Sequence, residues 1–185
     1  MKNQKQLIII TGPSGVGKGT VVKEILNMNS NKLWLSISAT TRKARKGEID
    51  GKHYYFLSKE KFNEMIRDEL FIEWAEFAGN LYGTPLKSIN NKIENGYKVI
   101  LEIEVDGARQ IKEKFPNSTS IFLLPPNIKE LEKRIRNRAT ESEDSISKRL
   151  ERSKFEISCS EEFDFRVKNE ILQDTINKVY EIIKD

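Results

Sequence analysis

Between Gly12 and Thr20 the chain reads G-P-S-G-V-G-K-G-T. Closely spaced glycines let a backbone curl until successive N–H groups point inward at an anion, and Lys18 adds a mobile full charge. Farther on, Arg42 and Arg45 stand three apart, with Ser38 before them and Tyr54 after. Guanidinium forks and hydroxyls in that order can surround a dianionic phosphate. Glu73 lies in F-I-E-W-A among apolar neighbours, and a buried carboxylate needs a partner. Glu102 and Glu104 close one apolar run, and Arg134 and Arg138 are four apart, hence on one helical face. Two anion sites rich in cations point to phosphoryl transfer, which needs alignment and charge neutralisation more than covalent help. Bringing like charges to about 4 Å costs ~4 kcal/mol per unit pair at an effective dielectric near 20, so the cations have a task. No histidine or carboxylate base is required, because an attacking phosphate oxygen is already deprotonated.

The elements that must position these groups follow from periodicity. Leu7 to Ile10 is short, apolar and β-branched, a buried strand, and Val21, Val22, Ile25 and Leu26 recur at helical spacing. Strand, glycine-rich turn and helix is the context a phosphate-binding loop requires. The usual G-x-x-x-x-G-K-[ST] puts a hydroxyl directly after the lysine to reach Mg²⁺; here Gly19 intervenes and Thr20 carries the first hydroxyl. Mg²⁺ would then be held by phosphate oxygens, water and a carboxylate elsewhere.

Strands are expected at Leu33–Ser38, at His53–Phe56 and at Phe71–Phe77, where alternation puts Glu73 on one face with Phe71, Ala75 and Phe77. Ser58 is placed to cap a short helix, and Thr84-Pro85 reads as a cap and first position of another. This hairpin-like block, 33–95, reads as an inserted lobe. Alternation of strand and helix resumes with Val99–Glu104 and Ser120–Leu124, Asn127 and Glu130 form a capping pair, a polar bend covers Thr140 to Asp144, and Phe163–Val167 is a last strand. The pattern implies an α/β fold: a parallel sheet with helices on both faces, binding ligands beyond the carboxyl ends of its strands.

The 185 residues suit one domain, 1–185, and the charge, 32 basic against 28 acidic residues, is dispersed as on a solvated surface. That distribution suits small polyphosphates rather than nucleic acid. No apolar run approaches the ~18 residues of a membrane span, and the start is no secretory signal. With one cysteine, Cys159, the chain reads as cytoplasmic. Cys159 and His53 have ordinary readings as a helical and an exposed strand residue. Arg134 and Arg138, taken singly, have one as a solvated helix face.

S-x-T-T-R-x-x-R-x-G-E-x-x-G-x-x-Y from Ser38 to Tyr54, after G-P-S-G-V-G-K-G-T, resembles guanylate kinase, as do F-I-E-W-A, G-N-L-Y-G-T and the late arginine-rich helix. The resemblance covers essentially the whole chain. It implies a P-loop core (about 1–32, 96–126 and 159–185), a GMP-binding lobe (about 33–95) and a lid (about 127–158). It implies ATP as donor on Gly12, Pro13, Ser14, Gly15, Val16, Gly17, Lys18, Gly19 and Thr20, with Asn169 beside the adenine. The acceptor, GMP or dGMP, would have its phosphate held by Ser38, Arg42, Arg45, Tyr54 and Tyr82. Glu73 and Thr84 would read its guanine, Glu48 would support the arginines or the base, and Glu104 would approach the guanine edge. Lys18, Arg42, Arg134, Arg138 and Arg149 would act on the transferring group, and Glu102 would hold Mg²⁺ through water. The family usually has aspartates where Glu102 and Glu104 stand. No protein partner and no membrane are implied. Two other readings remain: another nucleoside monophosphate kinase, or a guanylate-kinase-like binding module without catalysis.

Overall fold

β1 (Leu7–Thr11) is buried along its whole length. Its side chains alternate between two cores. Ile8 and Ile10 pack with one cluster, Leu7 and Ile9 with another on the opposite face. A strand buried on both faces reads as a continuous apolar run, as Leu7–Ile10 does. The computed structural model describes residues 4–28, 32–77, 79–136 and 143–184.

After β1 come the phosphate-loop candidate and α1 (Lys18–Met28). The chain continues through β2 (Leu33–Leu35), β3 (Ala39–Thr40), β4 (Tyr55–Phe56) and α2 (Lys59–Arg67), whose cap is Ser58 as expected, accepting from the Lys61 amide at 3.2 Å. β5 (Phe71–Phe77), β6 (Asn80–Pro85) and α3 (Leu86–Glu94) follow. Then come β7 (Lys98–Glu102), α4 (Val105–Lys114), β8 (Thr119–Leu124) and α5 (Ile128–Arg136), at whose start the Asn127 side chain accepts from the Glu130 amide. α6 (Glu143–Ser158), β9 (Phe165–Lys168) and α7 (Leu172–Ile183) complete the order.

Among the described residues the central sheet has five strands in the order β2-β7-β1-β8-β9, all parallel. α1, α5 and α7 supply one apolar layer and α3 with α4 the other. This is the expected α/β architecture. A second sheet, β4-β3-β6-β5, projects from it around a small core of Ala39, Phe62, Phe71 and Leu81. Phe62 and Phe71 stack there with ring centres 4.5 Å apart.

The projecting lobe is smaller than residues 33–95. β2 pairs with β7 in the central sheet, and Ile89 and Ile93 of α3 lie in the core beneath it. Periodicity identifies a strand and a helix but not the sheet each one joins, which is a non-local choice. The segment that departs from the central fold is therefore about 37–85. Thr84 is not a helix cap; it is a β6 residue, and Pro85 occupies the cap position. Glu104 is likewise the cap residue of α4 rather than part of its strand. Glu143 and Asp144 belong to the first turn of α6, while the rest of the expected bend, 140–142, lies outside the described residues.

Phe71 and Glu73 do not share a face as alternation implied. The register slips between them, with Phe71 opposite Pro85 and Glu73 opposite Thr84. Such a bulge re-aims side chains. Phe71 enters the lobe core, Ile72 enters the central core, and Glu73 turns toward the cleft with Ala75 and Phe77. β5 is tied to α4 at its open edge. The Gln110 side chain accepts from the Trp74 amide at 3.2 Å and donates to the Trp74 carbonyl at 2.7 Å, and Lys114 reaches the Ile72 carbonyl at 3.2 Å.

Candidate active site

A cleft of about 480 Å³ opens where the carboxyl ends of β1 and β7 meet the lobe. Its lining includes Gly17, Lys18 and Thr20 from the loop, Glu102 and Glu104 after β7, and Arg42, Tyr54, Glu73 and Tyr82 from the lobe. Arg149 of α6 completes it. Parallel α/β sheets place ligands at this edge.

The loop has glycine where only glycine fits. Gly12 has φ +143°, and a Cβ there would stand 2.4 Å from the Leu123 carbonyl oxygen. Gly17 has φ +102°, with the Asn169 amide nitrogen 2.7 Å from the Cβ it lacks. Asn169 is buried and donates to the Val16 carbonyl at 2.8 Å, so it braces the loop from behind. α1 begins at Lys18, which aims the positive end of the helix at the cleft. Lys18 is itself buried, donates to the Gly12 carbonyl at 2.5 Å and lies 3.7 Å from Glu104.

Gly19 and Glu102 are neighbours. A Cβ at Gly19 would meet both Glu102 carboxylate oxygens at 3.5 Å. The hydroxyl missing after the lysine thus coincides with a carboxylate arm reaching the same place. Glu104 has one buried oxygen, Oε2, with no hydrogen-bond partner. Among the described residues no group of three acidic, histidine or cysteine side chains forms a cage that could hold a metal by itself. The carboxylates suit a Mg²⁺ ion that keeps waters and arrives with nucleotide phosphates.

On the lobe side, Arg42 is gripped bidentately by Glu48, Nη1 to Oε2 at 3.0 Å and Nη2 to Oε1 at 2.9 Å. That bond holds the Glu48 carboxyl below its ordinary range and raises Arg42 further. The guanidinium also lies 5.4 Å from the Tyr54 ring centre and 5.7 Å from that of Phe56. The Arg45 amide donates to Glu48 Oε2 at 2.7 Å, while its exposed side chain lines the cleft. Burial, then the nearby Glu102 charge, pushes the Tyr54 phenol up to about 12, so it stays a hydrogen-bond donor. Tyr82 meets Tyr54 edge-on at 6.2 Å.

Glu73 is buried. Thr84 donates to its Oε1 at 2.5 Å, and Ser38 lies 3.2 Å from the same Thr84 hydroxyl. Burial raises the carboxyl to about 7 against the pull of Thr84. Gly107 of α4 makes room for it, since a Cβ there would be 2.4 Å from Glu73 Oε2. A buried carboxylate flanked by hydroxyls, facing a cleft that ends in a phosphate loop, can read a base that offers adjacent N–H donors.

Residues 4–185 match the family model described as guanylate kinase. The chain belongs to the guanylate kinase family. It is 62% identical to the guanylate kinase of Prochlorococcus marinus (strain MIT 9312) over the full length of both chains. It is 52% identical to that of Synechococcus elongatus, covering 92% of this chain and 93% of the other. The guanylate kinase of Anaplasma phagocytophilum has a similar solved structure: TM-score 0.78 and 32% identity, over 96% of this chain and 83% of that one.

Most residues expected from the sequence of this guanylate kinase family member gather around the cleft. Pro13, Ser14, Gly15, Gly19, Ser38 and Glu48 line it with those already named, whereas Gly12, Val16 and Thr84 support its walls. Asn169 and Arg134 instead flank a smaller hollow of about 340 Å³ on the other side of Gly15 and Gly17. Arg134 bonds Glu130 at 3.2 Å and reaches the Val16 carbonyl at 3.4 Å, so it is not a solvated face alone. Arg138 lies outside the described residues. His53 sits in an exposed turn, where Nδ1 accepts from the Ile49 amide at 2.9 Å; it is not a strand residue.

Periodicity did not point to Gly107, Asp106, Arg152 or Glu156. Glu156 of α6 is fully buried, and burial with the nearby Glu104 charge pushes it up to about 7, opposed by Lys18 and Arg152. A glycine inside a helical pattern was the available signal for Gly107. Glu156 stands seven residues after Arg149, two helical turns along the same stripe.

Proposed function

We propose that the protein transfers the terminal phosphoryl group of ATP to GMP, yielding ADP and GDP, with dGMP as an alternative acceptor. The observation that carries this reading is one cleft with Glu73 and Thr84 at one side and the Lys18 loop at the other. Guanine presents N1–H and its 2-amino group side by side, and the Glu73 carboxylate can accept both. Adenine would set a lone pair against it.

In this reading the lobe, about 37–85, binds the acceptor and a lid, about 127–158, covers the donor. Ser38, Arg42, Arg45, Tyr54 and Tyr82 hold the acceptor phosphate, with Glu48 keeping Arg42 in place. The loop from Gly12 to Thr20 wraps the donor phosphates, and Asn169 with Arg134 flanks the adenine side. Lys18 follows charge as it moves between phosphates; Arg134, Arg138 and Arg149 close on the transferring group. Glu102 would hold Mg²⁺ through water, and Glu104, 3.7 Å from Lys18, would approach the guanine edge. When bound, Mg²⁺ neutralises phosphate charge. An oxygen of the acceptor phosphate attacks the terminal phosphorus as the bond to the bridging oxygen breaks, and ADP leaves with the electron pair. Alignment and cations suffice for this step.

No helix among the described residues is long and apolar enough to cross a membrane. The reading places the enzyme in the cytoplasm, with nucleotides as its partners. ADP release measured with GMP, dGMP, AMP, CMP and UMP tests it. Turnover should be confined to the guanine nucleotides. Turnover with AMP instead would indicate another nucleoside monophosphate kinase, and none at all a binding module.

A further inference from the structure

α6 is fastened to α4 by charges running in both directions. Arg152 of α6 donates through Nη2 to Asp106 of α4 and through Nε to Glu156 of its own helix at 3.3 Å. In return, Arg109 of α4 grips Glu162, just past α6, with two bonds of 2.7 Å and touches Cys159 Sγ at 3.0 Å. Both guanidiniums approach the Phe155 ring, Arg152 at 5.1 Å and Arg109 at 5.9 Å from its centre. The Arg152–Asp106 pair, partly exposed at both ends, adds little to stability by itself. What it does supply is direction. Arg149 precedes Arg152 by three residues, so the two share a helix side. Arg149 lines the cleft. Arg152 has its charge answered by two carboxylates.

We propose that Arg152 is a positioning residue: by bridging Asp106 on α4 and Glu156 on α6, it sets the rotation of α6 that turns Arg149 into the cleft. This rests on the reading of Arg149 as a group that touches the transferring phosphate. α4 also carries Gly107 against Glu73, so one helix registers the base-reading carboxylate and the lid arginine together. A misplacement of about 1 Å can cost on the order of 100-fold in rate.

The test is a double-mutant cycle on the full-length protein, measuring kcat, both KM values and the unfolding temperature for Arg152→Gln, Arg152→Lys, Arg149→Gln and the Arg149→Gln/Arg152→Gln pair. Arg152→Gln should lower kcat roughly 10- to 100-fold, with both KM values within about threefold. Arg152→Lys, which keeps a cation between the carboxylates, should recover most of that loss. In the Arg149→Gln background the second substitution should cost less than about threefold more, because its effect is routed through Arg149. Fully additive losses, or a lowered unfolding temperature with kcat unchanged, would overturn the inference alone. Wild-type kcat in Arg149→Gln would overturn the reading of Arg149 and the inference with it.

Discussion

Glu73 and Thr84 face each other across β5 and β6, and the Thr84 hydroxyl donates a hydrogen bond to the Glu73 carboxylate at 2.5 Å. The Thr84 hydroxyl is therefore committed to Glu73 and is not a free donor for guanine O6. An arriving guanine would supply Glu73 with two N–H donors and free the hydroxyl to turn. Exchange of one partner for another keeps Glu73 and Thr84 satisfied, and a site built so rejects the wrong base strongly.

Glu73→Gln keeps the shape but replaces one acceptor with an amine donor. GMP kcat/KM should fall by roughly 2–3 kcal/mol, about 30- to 150-fold, with the KM for ATP nearly unchanged. Steady-state kinetics with GMP and AMP on both proteins check it. A retained preference for GMP would move the role to Glu104.

The same carboxyl makes stability depend on pH. Its pKa rises from 4.5 to about 7 on folding, mainly through burial. The fold prefers the protonated form, so its contribution is complete below about 4.5 and is lost as pH rises through about 7. Glu73→Gln removes that loss. Urea unfolding at pH 5 and pH 8 should show the variant gaining about 2–3 kcal/mol on the parent between the two. A difference that does not move with pH would mean that burial does not raise the Glu73 carboxyl.

Gly107→Ala places a methyl group 2.4 Å from Glu73 Oε2, and the carboxylate must move. The KM for GMP should rise on the order of 10- to 100-fold while that for ATP stays put. Equal changes in both would point to a distorted α4 rather than a displaced Glu73.

Lys18→Ala should fold normally and lose turnover by about 100-fold or more, the scale of losing one charge-stabilising donor. Activity within a few-fold of the parent would remove the donor phosphates from this loop.

Gly19→Ser puts a side chain in ordinary contact with both Glu102 oxygens, 3.5 Å from its Cβ. If the hydroxyl joins Glu102 in holding metal-bound water, activity should saturate at lower Mg²⁺. Superimposable Mg²⁺ titrations would show that the glycine and the long carboxylate are unrelated.

The phosphate loop was readable from sequence because all its parts are consecutive: strand, glycines, lysine and helix enforce one another locally. Glu73 was readable as a carboxylate too costly to bury alone. Its partner was not, since Thr84-Pro85 looks locally like a helix cap and only the shifted β5–β6 register puts Thr84 opposite Glu73. β2 was misassigned to the lobe for a related reason. Three apolar-patterned residues do not say which sheet they join, and β7, which takes them, lies more than sixty residues on. Asp106 and Arg152 are 46 apart, a pairing that no local spacing encodes.

The Gln110 side chain, engaging both main-chain groups of Trp74, has a consequence beyond catalysis. β5 is an outer strand of the lobe sheet, seven residues long, with apolar side chains around the contact. Bare strand margins of that kind invite another chain to zip alongside. One amide from α4, helped by Lys114 at Ile72, fills the positions a foreign backbone would take. Without Gln110 those two Trp74 groups would be open to a second strand, and the loss would surface first in turbidity on standing rather than in turnover.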